Sequence, residues 1–329
     1  MNFLGSIVRN FATEFFFKCH DEFDGIKTVG TKIIDETGTF NNLGFIYTKM
    51  LNTSLDEDLG AIMLDGPEDS LRMTRNAQPA LMTTALACVR EIETRLGRTI
   101  DTIGDAAAGH SLGEYAALAA VKSLDIATAA SLLRLRGDAM QNAVPVGEGA
   151  MAALLGVNLD QVEAMLASRD WTALDIANDN APGQVVISGS VADIDTALEM
   201  ARENGIRRAV KLPVSAPFHC RLMAPAADAM AEALAGVTLH PPSLPVWSNV
   251  MARPVDDPAE LRENLITQVT GMVRWRETLE NMAADGITRF VEIGTGKVLA
   301  GLVKRTLPDA EAMSIEDPED VDGFLNSIA

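Results

Sequence analysis

The sequence is poor in cysteine, histidine and basic side chains, and each shortage narrows the range of functions. Cys19, Cys88 and Cys220 are an odd number without paired spacing, which indicates reduced thiols and no disulfide framework or zinc site. Only four histidines are present, and they are scattered along the chain. Lys and Arg number 27 against 46 Asp and Glu, which gives a formal net charge of -19. Because phosphate contacts need clustered basic residues, we expect neither nucleic acid nor an anionic membrane as the main partner.

Long hydrophobic runs are also missing. No apolar stretch reaches the roughly 18 residues needed to cross a bilayer, and residues 1–17 are interrupted by Arg9, Asn10, Thr13 and Glu14. We therefore expect no signal peptide, no membrane-spanning helix and a cytoplasmic location.

The composition of the remaining chain favours a large α/β core. Of the 329 residues, 47% are hydrophobic and 22% are charged, which suits one large domain with an insert or two domains. A helix is predicted over residues 78–96, with Pro79 at its start and Gly97 just past its end. Asp125 is expected to cap a second helix that reaches about residue 143. Apolar strands are predicted at residues 244–250 and 288–293, each followed by a helical pattern, which is typical of a mostly parallel sheet.

Residues 148–213 show a different rhythm, in the order β-α-β-β-α-β. Strands are predicted at residues 150–155, 174–177, 184–188 and 207–212, and helices at residues 159–167 and 192–204. This order is that of a ferredoxin-like subdomain, with residues 178–183 as the turn between its middle strands. Residues 1–54 hold eight of the eleven phenylalanines and are interpreted as an atypical N-terminal segment. Residues 55–147 and 214–329 are then the α/β core.

The motif Gly109-His110-Ser111-Leu112-Gly113 places a serine between two glycines, after an apolar run at residues 103–108 and before helix formers at residues 112–121. A G-x-S-x-G string alone is weak, but this strand-turn-helix context is the one required by a nucleophile elbow. Flanking glycines permit a turn so tight that the serine oxygen is exposed. Ser111 is therefore the candidate nucleophile, and the backbone N–H of Leu112, at the head of the next helix, is a candidate oxyanion donor.

A serine nucleophile needs a base, and the candidates are His20, His110, His219 and His240. His219 is favoured because it follows the last predicted strand of the insert, where a loop can return to the main sheet. His110 is adjacent to Ser111 and, at a strand end, is expected to point away from it.

These residues resemble a known family, the malonyl-CoA to acyl-carrier-protein transacylases of dissociated (type II) fatty acid synthesis, which are related to polyketide synthase acyltransferase domains. The resemblance runs from about residue 59 to residue 305, and its hydrolase-like core carries the inserted subdomain. The matching motifs are Asn76-Ala77-Gln78-Pro79-Ala80-Leu81, the elbow, Arg136-Gly137 with Met140-Gln141, residues 178–189, residues 215–219 and residues 292–299.

The resemblance implies roles for individual residues. Ser111 would carry the acyl group, His219 would be its general base, and a backbone carbonyl near Gln268 would hold the histidine in place of a carboxylate. Arg136 would grip the free carboxylate of malonyl with its fork of donors. Phe218 would restrict α-substituted acyl groups, Asn180 would lie at the substrate, and His110 would support the site. The implied partners are malonyl-CoA and acyl carrier protein, with no cofactor and no metal, and a monomeric enzyme is expected.

One departure from the family pattern concerns the front of the chain. Members normally begin with a strand that runs into a Gly-Gln-Gly-Ser-Gln loop, which gives the second oxyanion donor. Here no glutamine precedes Gln78, and Thr28-Val29-Gly30 resembles that loop only weakly. Because one oxyanion donor typically contributes about 10²- to 10³-fold to turnover, we expect reduced activity.

Two alternatives stay open. The elbow equally suits a serine esterase or thioesterase, in which water resolves the acyl-enzyme. The second alternative is a catalytically impaired relative that still binds carrier protein or CoA.

Gly294-Thr295-Gly296-Lys297 lacks the spacing of a phosphate-binding loop. The nearby basic residues Lys297, Lys304 and Arg305 are interpreted either as a local basic patch for an acidic partner or as a solvated helix end.

Overall fold

The computed structural model describes residues 39–214 and 216–328 of the chain. Their helices and strands alternate along much of the sequence. The helices are α1 (Thr39–Leu55), α2 (Leu59–Asp65), α3 (Glu68–Leu71), α4 (Thr74–Leu96), α5 (Gly113–Ala120), α6 (Ile126–Asn142), α7 (Leu159–Leu166), α8 (Val191–Glu203), α9 (Ala224–Ala235), α10 (Pro258–Gln268), α11 (Trp275–Ala284), α12 (Val298–Thr306) and α13 (Pro318–Ser327). The strands are β1 (Ala107–Ala108), β2 (Gly149–Leu155), β3 (Leu174–Ala181), β4 (Gln184–Ser190), β5 (Arg208–Lys211), β6 (Val246–Trp247), β7 (Pro254–Val255), β8 (Arg289–Ile293) and β9 (Glu311–Ile315).

The main core forms where α4 and α6 pack against each other. Gly137 in α6 permits a very close approach, because a Cβ at this position would lie 2.6 Å from the Cα of Arg75 in α4. Asp125 caps α6 as predicted and accepts a hydrogen bond from the backbone N–H of Thr128. This packing brings Gln78 on α4 beside Arg136 on α6, which prepares the functional site.

The start of α4 differs from the sequence prediction. The helix begins at Thr74 and not near Gln78, so Pro79 lies inside it rather than at its start. The backbone N–H groups of Asn76 and Ala77 already bond to the carbonyl of Met73, which begins the helix one turn earlier. Pro79 is the sixth residue of the helix, beyond the first turn that best accepts proline, and it has no N–H to donate to the carbonyl of Arg75. Gly97 ends α4 in the left-handed conformation, as predicted.

The α/β fold class is confirmed, although the sheets are shorter and more mixed than expected. β1 pairs with β6 in parallel, β7 joins β6 in antiparallel orientation, and β8 and β9 form a separate parallel pair. The predicted strand at residues 103–108 shrinks to β1, and the one at residues 244–250 shrinks to β6. Apolar composition marked both segments as buried, but only two residues of each form ladder hydrogen bonds.

The β-α-β-β-α-β order predicted for the insert is present. Its four strands form one antiparallel sheet in the order β3-β4-β2-β5, which is the ferredoxin-like arrangement. Its apolar side chains form a cluster of their own, which includes Leu154, Ile187 and Ile194. We therefore propose that residues 148–213 form a subdomain inserted into the core.

The turn inside this subdomain was predicted wrongly. β3 continues through Ala181 with two irregularities in its pairing, so only Pro182 and Gly183 remain for the turn. Asn180, which the sequence analysis assigned to a loop, consequently lies in a strand.

The atypical N-terminal segment can be followed only in part. Residues 1–38, including Thr28-Val29-Gly30, His20 and Cys19, lie outside the described residues. Leu51 in α1 is buried in the same apolar cluster as Leu118 and Leu133, so the end of this segment belongs to the core. In the described part of the chain, Cys88 and Cys220 are unpaired, and no helix is long and apolar enough to cross a membrane.

Candidate active site

Ser111 lies in a strained turn between β1 and α5. Its φ of +52° is in the left-handed region, which a serine rarely adopts. Gly109 makes the turn possible, because a Cβ there would lie 1.9 Å from the carbonyl oxygen of Gly113. Gly113 itself is different, since a Cβ at that position would meet no atom of the described residues within 4 Å. Of the two flanking glycines, the geometry therefore requires only Gly109.

Asn249, just after β6, holds this turn from the neighbouring strand. Its Oδ1 accepts a hydrogen bond from the backbone N–H of Ser111 at 2.7 Å, and its Nδ2 donates to the carbonyl of Gly109 at 2.7 Å. Because the Ser111 N–H is occupied in this way, it is not free to bind an oxyanion. The N–H of Leu112 has no hydrogen-bond partner within residues 39–214 and 216–328. This leaves Leu112 as the available backbone donor at the elbow.

His219 meets Ser111 from the loop that leaves the inserted subdomain. Its Nδ1 lies 2.8 Å from the backbone carbonyl oxygen of Gln268, and its Nε2 lies 2.8 Å from Ser111 Oγ. A carbonyl can only accept, so Nδ1 carries the proton and the Nε2 lone pair accepts from the serine hydroxyl. His219 also has a positive φ, +56°, so both residues of the pair are held in strained backbone conformations. This arrangement suits proton transfer from Ser111 to His219.

The histidine is kept neutral by its surroundings. Burial, followed by the positive charge of Arg136, lowers the pKa of His219 to about 3. A neutral imidazole is the form that can accept the serine proton. The same two causes therefore keep the candidate base in its active form far below neutral pH.

Arg136 brings a buried positive charge to the serine. It is 1% exposed, and its Nη2 donates to Ser111 Oγ at 3.1 Å and to Gln268 Oε1 at 2.8 Å. Its Nη1 donates to Gln78 Oε1 at 2.8 Å, and its guanidinium carbon lies 5.8 Å from the centre of the Tyr115 ring. The hydrogen-bond partners found for this guanidinium among the described residues are all uncharged. A buried cation held by neutral acceptors favours an anionic ligand.

Glu114 is the other buried charged group near the serine. Burial raises the pKa of its carboxyl to about 7, against the opposing influence of a hydrogen bond from Gln268 and the charge of Arg136. Its Oε2 accepts from Gln268 Nε2 at 2.6 Å.

The remaining predicted site residues lie at different places. His110 Nε2 lies 2.9 Å from Asn180 Oδ1, and its ring packs edge-on against Trp275. Burial lowers the pKa of His110. Phe218 is half-buried and packs against the main apolar cluster and against a second apolar cluster on the sheet of the insert. Ser215 lies outside the described residues.

The candidate basic patch is partly neutralised. Lys297 Nζ lies 3.2 Å from Glu316, and Arg305 donates to Gln184 Oε1 at 3.2 Å. No group of three or more His, Cys, Asp and Glu side chains in the described part of the chain is arranged to hold a metal ion.

Sequence reasoning missed Asn249, Glu114 and the side chain of Gln268. Glu114 follows the elbow motif directly and was visible as a charge inside an apolar helix, which is a signal for a paired or functional carboxylate. Asn249 and Gln268 are distant from the motif in sequence, and no local pattern marks them. Only the parallel pairing of β1 with β6 brings Asn249 to the elbow.

Residues 47–317 match the model of the acyl transferase domain. The chain belongs to the acyl transferase family. The malonyl CoA-acyl carrier protein transacylase of Bacillus subtilis is 40% identical over 277 residues, which cover 84% of this chain and 86% of that protein.

Solved structures of acyl transferases superpose over most of the chain. The acyl-carrier-protein S-malonyltransferase of Bartonella henselae is 44% identical with a TM-score of 0.83, covering 87% of this chain and 91% of that one. A malonyl-transacylase solved in complex with a type II PKS acyl-carrier protein is 33% identical with a TM-score of 0.84, covering 90% and 94%. The acyl transferase fold is therefore present over nearly the whole described chain.

The clamp made by Asn249 predicts a large loss of stability on its removal. Asn249→Ala leaves the N–H of Ser111 and the buried carbonyl of Gly109 without these partners, at about 1–3 kcal/mol each, so unfolding should cost about 2–6 kcal/mol less. Urea unfolding followed by circular dichroism measures this change. Asn264→Ala is a matched control, because Asn264 is also buried and its Nδ2 has no partner in the described part of the chain. Equal losses in the two variants would contradict the clamp.

The lowered pKa of His219 predicts an unusual pH profile. Since an ordinary histidine has a pKa of about 6.5, its neutral fraction falls about tenfold between pH 7.5 and pH 5.5. With a pKa of about 3, His219 stays neutral over that range, and the rate of Ser111 acylation should change by less than about twofold. Glu114 takes up a proton in the same range, but its carbonyl oxygen still accepts from Gln268. Stopped-flow acylation at each pH measures the rate, and a tenfold fall centred near pH 6.5 would contradict the prediction.

Proposed function

We propose that this protein transfers a malonyl group from malonyl-CoA to the phosphopantetheine thiol of acyl carrier protein, through an ester on Ser111, in fatty acid biosynthesis. The observation that carries the proposal is the position of Arg136. A buried guanidinium lies 3.1 Å from the oxygen of a serine that is itself paired with a neutral histidine. A serine with such a neighbour is suited to acyl groups that end in a carboxylate.

In the first half-reaction, Ser111 Oγ attacks the thioester carbonyl of malonyl-CoA while its proton passes to His219 Nε2. The carbonyl oxygen becomes an oxyanion, to which the Leu112 N–H at the head of α5 donates. The C–S bond then breaks, and the leaving sulfur receives the proton from His219. The products are malonyl-Ser111 and free CoA thiol, so no cofactor is consumed.

In the second half-reaction, the carrier protein's thiol takes the place of the CoA thiol. His219 accepts the thiol proton as the sulfur attacks the ester, and it returns that proton to Ser111 Oγ when the C–O bond breaks. Throughout, the carbonyl of Gln268 keeps the imidazole in the orientation that presents Nε2 to the serine. Arg136 would hold the malonyl carboxylate in both steps.

The sequence lacks the loop that gives related enzymes their second oxyanion donor, and the segment where that loop is expected lies outside the described residues. The reduced turnover expected from its absence stays a prediction. Malonyl-CoA and acyl carrier protein are the proposed partners, and we propose a monomeric, cytoplasmic enzyme that binds neither nucleic acid nor membrane. The acidic charge of the whole chain supports the absence of nucleic acid.

A transfer assay separates this function from hydrolysis. Purified protein is incubated with malonyl-CoA and holo acyl carrier protein, and malonyl carrier protein and free malonate are quantified side by side. Transfer should exceed hydrolysis, and simple aryl esters should react more slowly than malonyl-CoA. Faster hydrolysis of aryl esters would identify an esterase, and binding of carrier protein without malonyl transfer would identify a non-catalytic relative.

A further inference from the structure

The amide of Gln268 connects three groups of the site. Its Nε2 donates to Glu114 Oε2 at 2.6 Å and to the backbone carbonyl of Ser111 at 3.0 Å. Its Oε1 accepts from Arg136 Nη2 at 2.8 Å. The side chain is fully buried, so no water competes for these contacts. One amide therefore touches both the nucleophile's peptide and the candidate carboxylate-binding arginine.

The orientation of this amide decides whether Arg136 is held in place. With Oε1 towards the guanidinium, the contact is favourable. A rotation by 180° would turn the NH₂ group towards Arg136 and place two donors against each other. The same rotation would turn Oε1 towards the acceptors of Glu114 and Ser111. The acceptors on the Nε2 side thus select the orientation that serves Arg136.

Glu114 is the stronger of these two acceptors. Its contact with Gln268 is the shorter one, at 2.6 Å against 3.0 Å for the backbone carbonyl of Ser111. Glu114 is only 1% exposed, and among the described residues its one other hydrogen bond is a long one, 3.4 Å, from the backbone N–H of Asn249. In the described part of the chain its Oε1 has no hydrogen-bond partner. A buried carboxyl with so few structural bonds is costly to keep unless the site uses it.

We propose that Glu114 is a positioning residue that fixes the Gln268 amide, so that the amide oxygen holds Arg136 at Ser111 and favours acyl groups that carry a carboxylate. This inference rests on the proposed function, because it concerns the choice of acyl group. Glu114 touches neither the acyl group nor the reacting atoms. It acts through the length and direction of its side chain, which deliver an acceptor oxygen to Gln268.

Two substitutions separate the effect of the length of the Glu114 side chain from the effect of its charge. Glu114→Gln keeps the length and an acceptor oxygen, and its NH₂ group can occupy the side on which Oε1 has no partner. Glu114→Asp keeps the carboxylate but is one methylene shorter, so its oxygen withdraws by about 1.5 Å, beyond hydrogen-bond distance of Gln268. Both variants stay polar and differ by one or a few atoms, which favours intact folding.

The readout is the ratio of acylation efficiency, kcat/KM, for malonyl-CoA to that for acetyl-CoA. Glu114→Asp should lower the malonyl value about 10- to 100-fold and the acetyl value less than about threefold, whereas Glu114→Gln should keep the ratio within about threefold of the parent. A parallel fall for both substrates in Glu114→Asp would indicate a merely structural role. A fall of the malonyl-to-acetyl ratio in Glu114→Gln as large as that in Glu114→Asp would show that the charge of Glu114, and not its reach, sets the preference. Either result would overturn the proposal.

A double-mutant cycle tests the route through Gln268. Gln268→Met removes the amide and should lower the same ratio, and adding Glu114→Asp should then have no further effect on it. Additive effects of the two substitutions would overturn the proposal, because Glu114 would then act independently of Gln268.

A second measurement needs no turnover. The side-chain NH₂ signals of Gln268 in a ¹H–¹⁵N NMR spectrum, assigned by their loss in Gln268→Met, report the contact directly. They should exchange slowly with solvent in the parent and in Glu114→Gln, and at least tenfold faster in Glu114→Asp. An inactive parent with this pattern would refute the proposed function and leave the contact standing. Equal exchange in all three proteins would refute the positioning role.

Discussion

Replacing Ser111 by alanine should abolish malonyl transfer, with a loss on the order of 10⁴-fold or more. The expected size follows from the geometry, since Ser111 Oγ is the only atom that meets both His219 Nε2 and Arg136 Nη2 in the described site. Without it, no ester can form and the histidine has no proton to accept. The rate of appearance of malonyl carrier protein measures the loss.

Ser123→Ala is the matched control for this substitution. Ser123 is buried just past the C-terminal end of α5, and its hydroxyl donates to the carbonyl of His240, so its removal should leave transfer within about threefold of the parent. A Ser111→Ala variant that transfers malonyl at a tenth of the parental rate or better would show that another group carries the acyl chain.

Replacing Arg136 by methionine should change the choice of acyl group. Two charge-assisted hydrogen bonds to a substrate carboxylate contribute about 1.5–3 kcal/mol each, so kcat/KM for malonyl-CoA should fall about 10²- to 10⁴-fold. Acetyl-CoA has no carboxylate, and its kcat/KM should change less than about fivefold or rise. The Arg136→Met variant would thus transfer malonyl groups poorly and acetyl groups relatively better.

Arg134→Met controls for the loss of a buried arginine in the same helix. Arg134 bonds to Asn76 and forms an ion pair with Glu57, away from Ser111. Its replacement should lower stability but keep the ratio of malonyl to acetyl efficiency. Equal loss of both substrates in Arg136→Met, or a changed ratio in Arg134→Met, would argue against a carboxylate clamp at Arg136.

Much of the site's local structure was predictable from sequence, because it depends on short-range rules. The elbow motif, the Asp125 cap and the six-element order of the insert each follow from residues close together in the chain. The two-residue strands β1 and β6 were predicted too long, since apolar composition reports burial but not which backbone groups form a ladder. Pro79 misled the prediction for a different reason, because the preference of proline for a helix start is a local rule and the helix already begins with the turn at Met73.

The parts that sequence could not supply are contacts between distant segments. Asn249 reaches the elbow only through the pairing of β1 with β6, and Gln268 reaches Arg136 only where α10 meets α6. The sequence marks Glu114 as a charged residue in an apolar helix, but it does not show that Glu114 bonds to the Gln268 amide. Physical patterns thus predicted the elbow and its helix, family resemblance implied Arg136, His219 and the carbonyl near Gln268, and the fold alone revealed what positions them.

The most direct test of the account is the site of covalent attachment. Protein exposed briefly to malonyl-CoA is quenched in acid, digested and mapped by tandem mass spectrometry. The account predicts one malonyl group, attached to Ser111 and absent from Ser111→Ala. Malonyl attached to Cys88 or Cys220, or no adduct on a folded protein, would contradict it.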